Sequence, residues 1–381
     1  MSNVEVIRIA IIINVVASYR EGFYDRLMSR KDMSITIYCQ ENIPGLNIKT
    51  IHNKYSNNVY LLKCVSAKRE RLSWQFIPWK KVLSEYDVVF IEGNPRNISH
   101  VLFASYLLLK KKNVVLWTMA HSFRANMLTE NIRLLWSRIF KYIFVYSDAE
   151  VKYLRNKGFI KNIIIGMNNG LDQCIIDSTI NMWPETKINE WKIQHNISNR
   201  TLLLSCARLE YKNKYHQFIK ALPAIVTNIP NILWCIIGNG PEKEKLEYLV
   251  KKYKLSEYVK FVGEIYNEYE LAPWFLTSEL FIHPAAIGLS IMHAFGYGLP
   301  VVTHGNSERQ NPEYAAFEAG LTGLNFMEDN VTDLSDTVIK LLDDNIVRIR
   351  MKKYVQYIAR NKYNVDVMVE RFVDIAKTAV T

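Results

Sequence analysis

Phe281–Val302 reads FIHPAAIGLSIMHAFGYGLPVV. The apolar run that closes at His283 has the character of a buried strand, Pro284 ends it, Ala285 and Ala286 make a small-residue turn, and a helix opens near Gly288. Gly298-Leu299-Pro300 then turns the chain into a second apolar strand ending at Thr303, which predicts a βαβ unit of a parallel sheet. The first N–H groups of a helix have no intrahelical acceptor, and Ala and Gly beside them place no side chain in the way of a ligand. The segment therefore suits an anion such as a diphosphate, and equally the start of an ordinary helix.

Working outward, the same alternation recurs along the whole chain. Apolar strands are expected at Arg8–Val15, Ser34–Cys39, Val88–Glu92, Val114–Trp117, Tyr142–Tyr146 and Ile163–Met167. The polar, Trp-bearing stretch 178–200 interrupts the pattern and reads as a connection or hinge. It resumes at Leu202–Cys206, Ile232–Ile237, Val259–Val262, Leu280–His283 and Val301–Thr303. The fold class is α/β, with two Rossmann-like, doubly wound domains expected over 1–177 and 201–360 and a final segment at 361–381. Such sheets bind ligands at the carboxyl ends of their strands, so a cleft there is the expected site.

With 381 residues, 49% of them hydrophobic, the chain is long enough for two domains of roughly 150–200 residues each. Apolar runs such as Ile7–Val16 and Val101–Leu109 are too short to span a bilayer. Five scattered cysteines suit a reduced, cytoplasmic protein without a structural zinc site. Charge is unevenly distributed: residues 1–200 carry 28 Lys and Arg against 16 Asp and Glu, residues 201–381 carry 20 against 21. That asymmetry points to an anionic partner for the N-terminal half, and with no nucleic-acid module visible, an anionic membrane surface rather than nucleic acid.

Several residues at strand ends have the chemistry of a phosphate and sugar site. Arg208, Lys212 and Lys214 follow Leu202–Cys206 and could clamp a phosphate, Arg as a planar fork and Lys as a point charge. Gly238-Asn239-Gly240 follows Ile232–Ile237 and allows close backbone approach. Glu313 follows the strand ending at Thr303 and could accept hydroxyl hydrogens, or cap a helix beside Pro312. In the first half, Tyr19 and Arg20 follow the first strand, and His121 follows the strand ending at Trp117. Residues 63–81 mix Lys68, Arg69, Arg71, Lys80 and Lys81 with Trp74, Phe76, Ile77 and Trp79, a composition that fits either a bilayer interface or a basic face over packed aromatics. Lys110–Lys112 and the stretch from Arg133 add to it.

Taken together, ARLEYKN, IIGNGP, the FVG of Phe261–Gly263, PAAIGLSIMHAFGYGLPVV and the NNGLD of Asn168–Asp172 resemble, in order and spacing, the retaining glycosyltransferases of family 4. The resemblance implies a GT-B fold, two Rossmann-like domains facing across a cleft, with a last helix near Val365–Ala376 returning to the first. It implies an N-terminal domain for the acceptor and a C-terminal domain for a nucleotide diphosphate sugar. No metal and no cofactor are implied. Arg208 and Lys212 with the backbone of Ala286, Ile287, Gly288 and Leu289 would neutralise the leaving diphosphate. Asn169 would shape the acceptor side and His121 would contact the acceptor. The family's two glutamates eight positions apart match Ala285 and His293 here, and its lysine matches Asn213, leaving Lys212 or Lys214 to serve.

The expected function is sugar transfer from a nucleotide diphosphate sugar to a lipid-linked or saccharide acceptor, with retention, in surface polysaccharide biosynthesis at the inner face of the cell membrane. The alternative is a catalytically degenerate sugar-nucleotide-binding or scaffold subunit of a polysaccharide assembly.

Overall fold

The alternating pattern folds into two parallel sheets, each with its own core. The computed structural model describes residues 6–43, 49–67, 72–120 and 127–381. One unit comprises Met1–Leu171 with Val365–Thr381, the other Asp172–Asn364.

The strands of the first unit are β1 (Ile7–Ile12), β2 (Met33–Cys39), β3 (Val59–Leu61), β4 (Cys64–Ala67), β5 (Leu72–Gln75), β6 (Val88–Glu92), β7 (Asn113–Trp117), β8 (Tyr142–Val145) and β9 (Ile163–Gly166). Seven of them form a sheet in the order β3-β2-β1-β6-β7-β8-β9, and its neighbours all pair in parallel. The chain winds outward from β1 to β3, then returns to β6 and winds the other way, so the order reverses between β1 and β6. Ile9 and Ile11 enter one core with Phe23 and Phe90, while Ala10 and Ile12 enter another with Phe103 and Leu107. A strand covered on both faces has no solvent side, which is why these runs are continuously apolar.

Helix Val365–Val380 belongs to this unit. Its buried Val365, Met368, Val369, Phe372, Val373, Ile375, Ala376 and Ala379 recur at helical spacing and enter the core of β1 and β6. Phe372 is fully buried and stacks on Phe90, with ring centroids 4.1 Å apart.

The second unit contains β10 (Thr201–Cys206), β11 (Ile232–Ile237), β12 (Val259–Gly263), β13 (Ser278–His283), β14 (Val301–His304) and β15 (Gly323–Phe326). Their order is β12-β11-β10-β13-β14-β15, all parallel, with the reversal between β10 and β13. Trp234 at the centre is fully buried, and its indole N–H donates to Ser205 Oγ at 2.9 Å.

The two units divide at Leu171/Asp172 rather than after residue 177, and the stretch 178–200 is not a free-standing connection. It lies in the second unit, where helices Gln173–Asn181 and Glu185–Gln194 pack on helix Glu268–Thr277. Trp191 meets Trp274 edge-on at 4.7 Å, and the Trp183 indole donates to the Tyr269 carbonyl at 2.9 Å. A few aromatic anchors suffice to fix helices whose remaining surface is polar, which is why the stretch reads as a linker. For the basic aromatic segment 63–81 the sequence left two readings open, and its described residues show inward packing. It forms the antiparallel pair β4 and β5 and then helix Trp79–Glu85. Ile77 is buried and Trp79 packs on Phe103 and Tyr106, so these apolar side chains serve the core, and of Trp74, Phe76, Ile77 and Trp79 only Phe76 is strongly exposed. Lys68, Arg69 and Arg71 lie outside the described residues.

Candidate functional site

Beyond β10 the chain runs Ala207-Arg208-Leu209-Glu210, and backbone bonds to the β11 turn fix this loop. Ala207 N–H donates to the Ile237 carbonyl at 3.1 Å, Leu209 N–H to Asn239 at 2.8 Å, and Glu242 N–H back to Leu209 at 3.0 Å. Gly238 has φ +138°, and a Cβ on it would lie 2.1 Å from the Ala207 carbonyl oxygen; one on Gly240 would lie 2.4 Å from that of Leu209. The close approach these glycines permit is thus to the Arg208 loop itself. Asn239 uses its side-chain oxygen on the Gly240 N–H at 2.9 Å.

Asn213, where the resembled family has lysine, is buried and donates from Nδ2 to the Arg208 carbonyl at 2.6 Å. It braces the loop that carries the arginine. Arg208 and Lys212 are both well exposed, and both reach Glu210: Arg208 Nε lies 3.3 Å from Oε1, and Lys212 Nζ pairs with Oε2. Lys214 adopts φ +54° and turns away, pairing with Glu328 at 3.0 Å and Asp329 at 2.6 Å beyond β15. Of the three cations, Arg208 and Lys212 share one carboxylate, and Lys214 is committed elsewhere.

The turn after β13 emerges beside this loop, because β10 and β13 are paired neighbours, Leu204 with Phe281. It leads into helix Ser290–Gly296. Ile287 N–H is not open to a ligand, since it donates to Gln310 Oε1 at 2.8 Å. The N–H groups of Ala286, Gly288 and Leu289 meet no acceptor among the described residues. Three side chains hold the turn from below. Asn311 Nδ2 donates to the Ala286 carbonyl at 3.1 Å, His283 Nε2 contacts the same oxygen at 3.2 Å, and Thr303 Oγ1 donates to Ala285 at 3.2 Å. A Cβ on Gly288 would find only Asn311 Nδ2, at 3.7 Å. Unlike Gly238, Gly288 answers no packing demand, and the space beside its amide is open.

His293, on the helix that follows, places Nε2 3.2 Å from Glu268 Oε2, and the Tyr297 hydroxyl donates to Glu268 Oε1 at 2.6 Å. Burial pushes the Glu268 carboxyl up, but the His293 and Tyr297 contacts outweigh it and hold the group below its ordinary value. Buried His283 is pushed down to about 4 by desolvation, so its imidazole is neutral. Glu313 sits half-buried on the short helix Pro312–Ala316 past β14.

Glu268 and Gln310 were not visible in the sequence as site residues. Each stands more than twenty positions from the group it meets, and only the packing of neighbouring strands brings them there. Among the described residues no cluster of three or more His, Cys, Asp or Glu side chains is grouped to hold a metal ion.

In the first unit, Tyr19 and Arg20 lie on the short helix Ser18–Arg20 after β1, and Asn169 is buried after β9 with its N–H on the Tyr146 carbonyl at 3.1 Å. His121 lies outside the described residues.

The loops after β11, β10, β13 and β14 therefore bring Gly238–Gly240, Arg208 with Lys212, Ala286–Leu289 and Glu313 to the carboxyl edge of one sheet, with its reversal point in the middle. The family model Glycosyl transferases group 1 matches residues 187–358. That match lies within the second unit. The chain is 26% identical over 290 residues to the O-antigen biosynthesis glycosyltransferase WclY of Escherichia coli, covering 70% of this chain and 76% of that one. It is 26% identical over 289 residues to the GtfA subunit of the UDP-N-acetylglucosamine–peptide N-acetylglucosaminyltransferase of Streptococcus agalactiae, covering 73% of this chain and 51% of the relative. The match thus spans about half of that relative's length. Among solved structures, Anabaena HepE in complex with UDP aligns over 98% of this chain and 100% of its own with a TM-score of 0.71 at 15% identity, which places the two Rossmann-like units in the GT-B fold.

Proposed function

We propose that the chain transfers a sugar from a nucleoside diphosphate sugar to a lipid-linked or saccharide acceptor, with retention of configuration, in surface polysaccharide synthesis. What carries the reading is one juxtaposition: the unpartnered amides of Gly288 and Leu289, with open space beside them, on the strand next to the one that delivers Arg208 and Lys212. UDP is the first nucleotide to test, since the aligned HepE structure is a UDP complex.

In this reading the diphosphate settles on the amides of Ala286, Gly288 and Leu289, and draws Arg208 and Lys212 from Glu210. As the bond from the anomeric carbon to the diphosphate oxygen breaks, the electron pair goes to the leaving phosphate, where these donors are already oriented. The acceptor hydroxyl adds to the same face of the sugar, and its proton leaves on the departing phosphate. Donors placed where charge develops are worth about a hundredfold or more each in rate. Gly238, Asn239 and Gly240 would bound the nucleotide. Glu313 and His293 would take sugar or ribose hydroxyls, with the Glu268 carboxylate behind His293 supplying the charge that the family's paired glutamates carry elsewhere. Tyr19, Arg20 and Asn169 would take the acceptor. Charge neutralisation by Arg208, Lys212 and backbone amides leaves no step that requires a metal, so EDTA should leave turnover unchanged.

The test is transfer or hydrolysis of a panel of nucleotide sugars by the purified chain. Turnover lowered about a hundredfold or more in Arg208→Ala is the expected result; full turnover in that variant would overturn the assignment. Nucleotide binding with no turnover of any donor would favour the second reading, a sugar-nucleotide-binding subunit, which the absence of carboxylates at 285 and 293 supports.

The basic first half supports association with an anionic membrane, through a different surface from residues 63–81. Leu102 and Leu109 on helix Ile98–Leu109, and Ile132 and Leu135 on helix Met127–Ser137, are about half exposed or more, with Ile139 beyond. Both helices cover the same face of the sheet, and Lys110–Lys112 follow the first. Apolar stripes beside lysines suit the headgroup region of a bilayer. Among the described residues no helix is long and apolar enough to cross one.

A further inference from the structure

In the first unit, the loops after β1 and β6 leave the sheet at its own reversal point, and Arg20 lies there, 8% exposed. Its guanidinium carbon sits 4.9 Å from the Trp117 ring centroid, 5.3 Å from that of Tyr146 and 5.7 Å from that of Tyr19. Nε is buried and has no hydrogen-bond partner. Among the described residues no carboxylate comes within 4.0 Å of it. The nearby acid, Glu92, is engaged by Asn14 at the start of the loop after β1: Oε2 accepts from Asn14 N–H at 2.8 Å and Oε1 from Asn14 Nδ2 at 3.0 Å.

A buried guanidinium without a counter-anion is an expensive arrangement. Ring faces recover part of the lost hydration, and a hydrophobic side chain of similar size would fill the place at less cost. Such a group is suited to a ligand that brings the missing charge, and the planar guanidinium fork matches the oxygens of phosphate or carboxylate. The rings of Trp117, Tyr146 and Tyr19 cover its faces and the Tyr146 hydroxyl is only a neutral partner, which leaves the rest of the fork's edge as the direction in which an oxyanion would bind, with half-exposed Tyr19 as the outer wall.

We infer that Arg20, boxed by Trp117, Tyr146 and Tyr19, is an oxyanion site, and that the acceptor presents a phosphate or carboxylate group to it. The second clause rests on the glycosyltransferase reading; the first does not. A neutral saccharide could accept hydrogen bonds but would leave the buried charge without a counter-anion, so the acceptor class narrows to anionic ones: a phosphate-linked or phosphorylated saccharide, or a sugar acid.

The experiment is calorimetric titration of inorganic phosphate, and separately of glucuronate, into the full chain saturated with UDP, so that the second unit's site is occupied. The expected result is saturable binding of at least one of the two that is lost by about tenfold or more in Arg20→Met and weakened but kept in Arg20→Lys, with UDP affinity unchanged in both. Phosphate binding alone assigns a phosphate-bearing acceptor, glucuronate binding alone a carboxylate-bearing one. Absence of binding by either anion, or equal binding by Arg20→Met, would overturn the inference. If Arg20→Met does not fold, Arg20→Lys decides, and undiminished binding there counts against a forked contact. If UDP itself fails to bind, the donor reading falls, and the same titrations in the Arg208→Ala background still test Arg20.

Discussion

Two glycines show what single positions do here. Gly238 is required by the protein, because φ +138° and a 2.1 Å approach to Ala207 exclude a side chain; Gly288 is not, because a Cβ there meets nothing closer than 3.7 Å. Gly238→Ala should therefore destabilise the second unit by about 1–3 kcal/mol, measured by urea unfolding, and loosen the Arg208 loop with it. Glu210 is the other telling residue, since it holds the two cations that a diphosphate would need. Removing its charge should tighten UDP binding by about two- to fivefold at low salt, with the gain shrinking as salt is raised. Unchanged or weaker binding in Glu210→Gln would mean that the carboxylate does not compete with the ligand.

Elements carry the stability. Phe372→Ala should cost about 3–5 kcal/mol, because the ring fills the core that β1 and β6 share with the last helix and leaves a cavity behind. A much smaller loss in thermal or urea unfolding would show that helix Val365–Val380 is dispensable to the first unit. The strand end at His283 predicts a pH dependence. The unfolded imidazole gains its proton near pH 6.5, whereas the buried one stays neutral until about 4. Its folded value is depressed, so its contribution is intact above pH 6.5 and is withdrawn as pH falls toward 4, by up to about 1.4 kcal/mol per unit. His100, buried in the first unit and also held at about 4, adds to the slope. Urea unfolding from pH 7.5 to 4.5 should give a shallower slope in His283→Gln than in the parent; identical slopes would contradict the burial argument.

At the scale of the whole chain, the parallel sheets were legible because strands buried on both faces are continuous apolar runs between turn residues. β3, β15 and the β4–β5 pair were not: β15 reads GLNF, an edge strand whose register comes from β14 rather than from its own composition. In the site, the readable parts were those that follow a strand directly, such as Arg208 and Ala286–Leu289. Gln310 and Glu268 escaped because their contacts exist only after strands pack, and so did the pairing of Lys214, whose αL backbone turns it toward Glu328 and Asp329. Spacing gave no hint that Ile77 would enter the core and Trp79 pack against it, so the composition of residues 63–81 reads equally as a membrane surface. If the exposed stripe beside Lys110–Lys112 is that surface, flotation with anionic vesicles should recover the protein, and Leu109→Asp with Leu135→Asp should abolish it. Equal recovery with neutral vesicles, or none with either, would remove the membrane from the account.

The central claim is that the open backbone beside Gly288 receives a nucleotide's diphosphate. Calorimetric titration of UDP into the parent chain and Gly288→Val tests it most directly, because the added side chain fills space that the protein leaves empty. The account predicts saturable binding by the parent, at least about tenfold weaker binding by the variant, and matching melting temperatures for the two without ligand. Equal affinity in both proteins, or a parent that binds no nucleoside diphosphate, would contradict it.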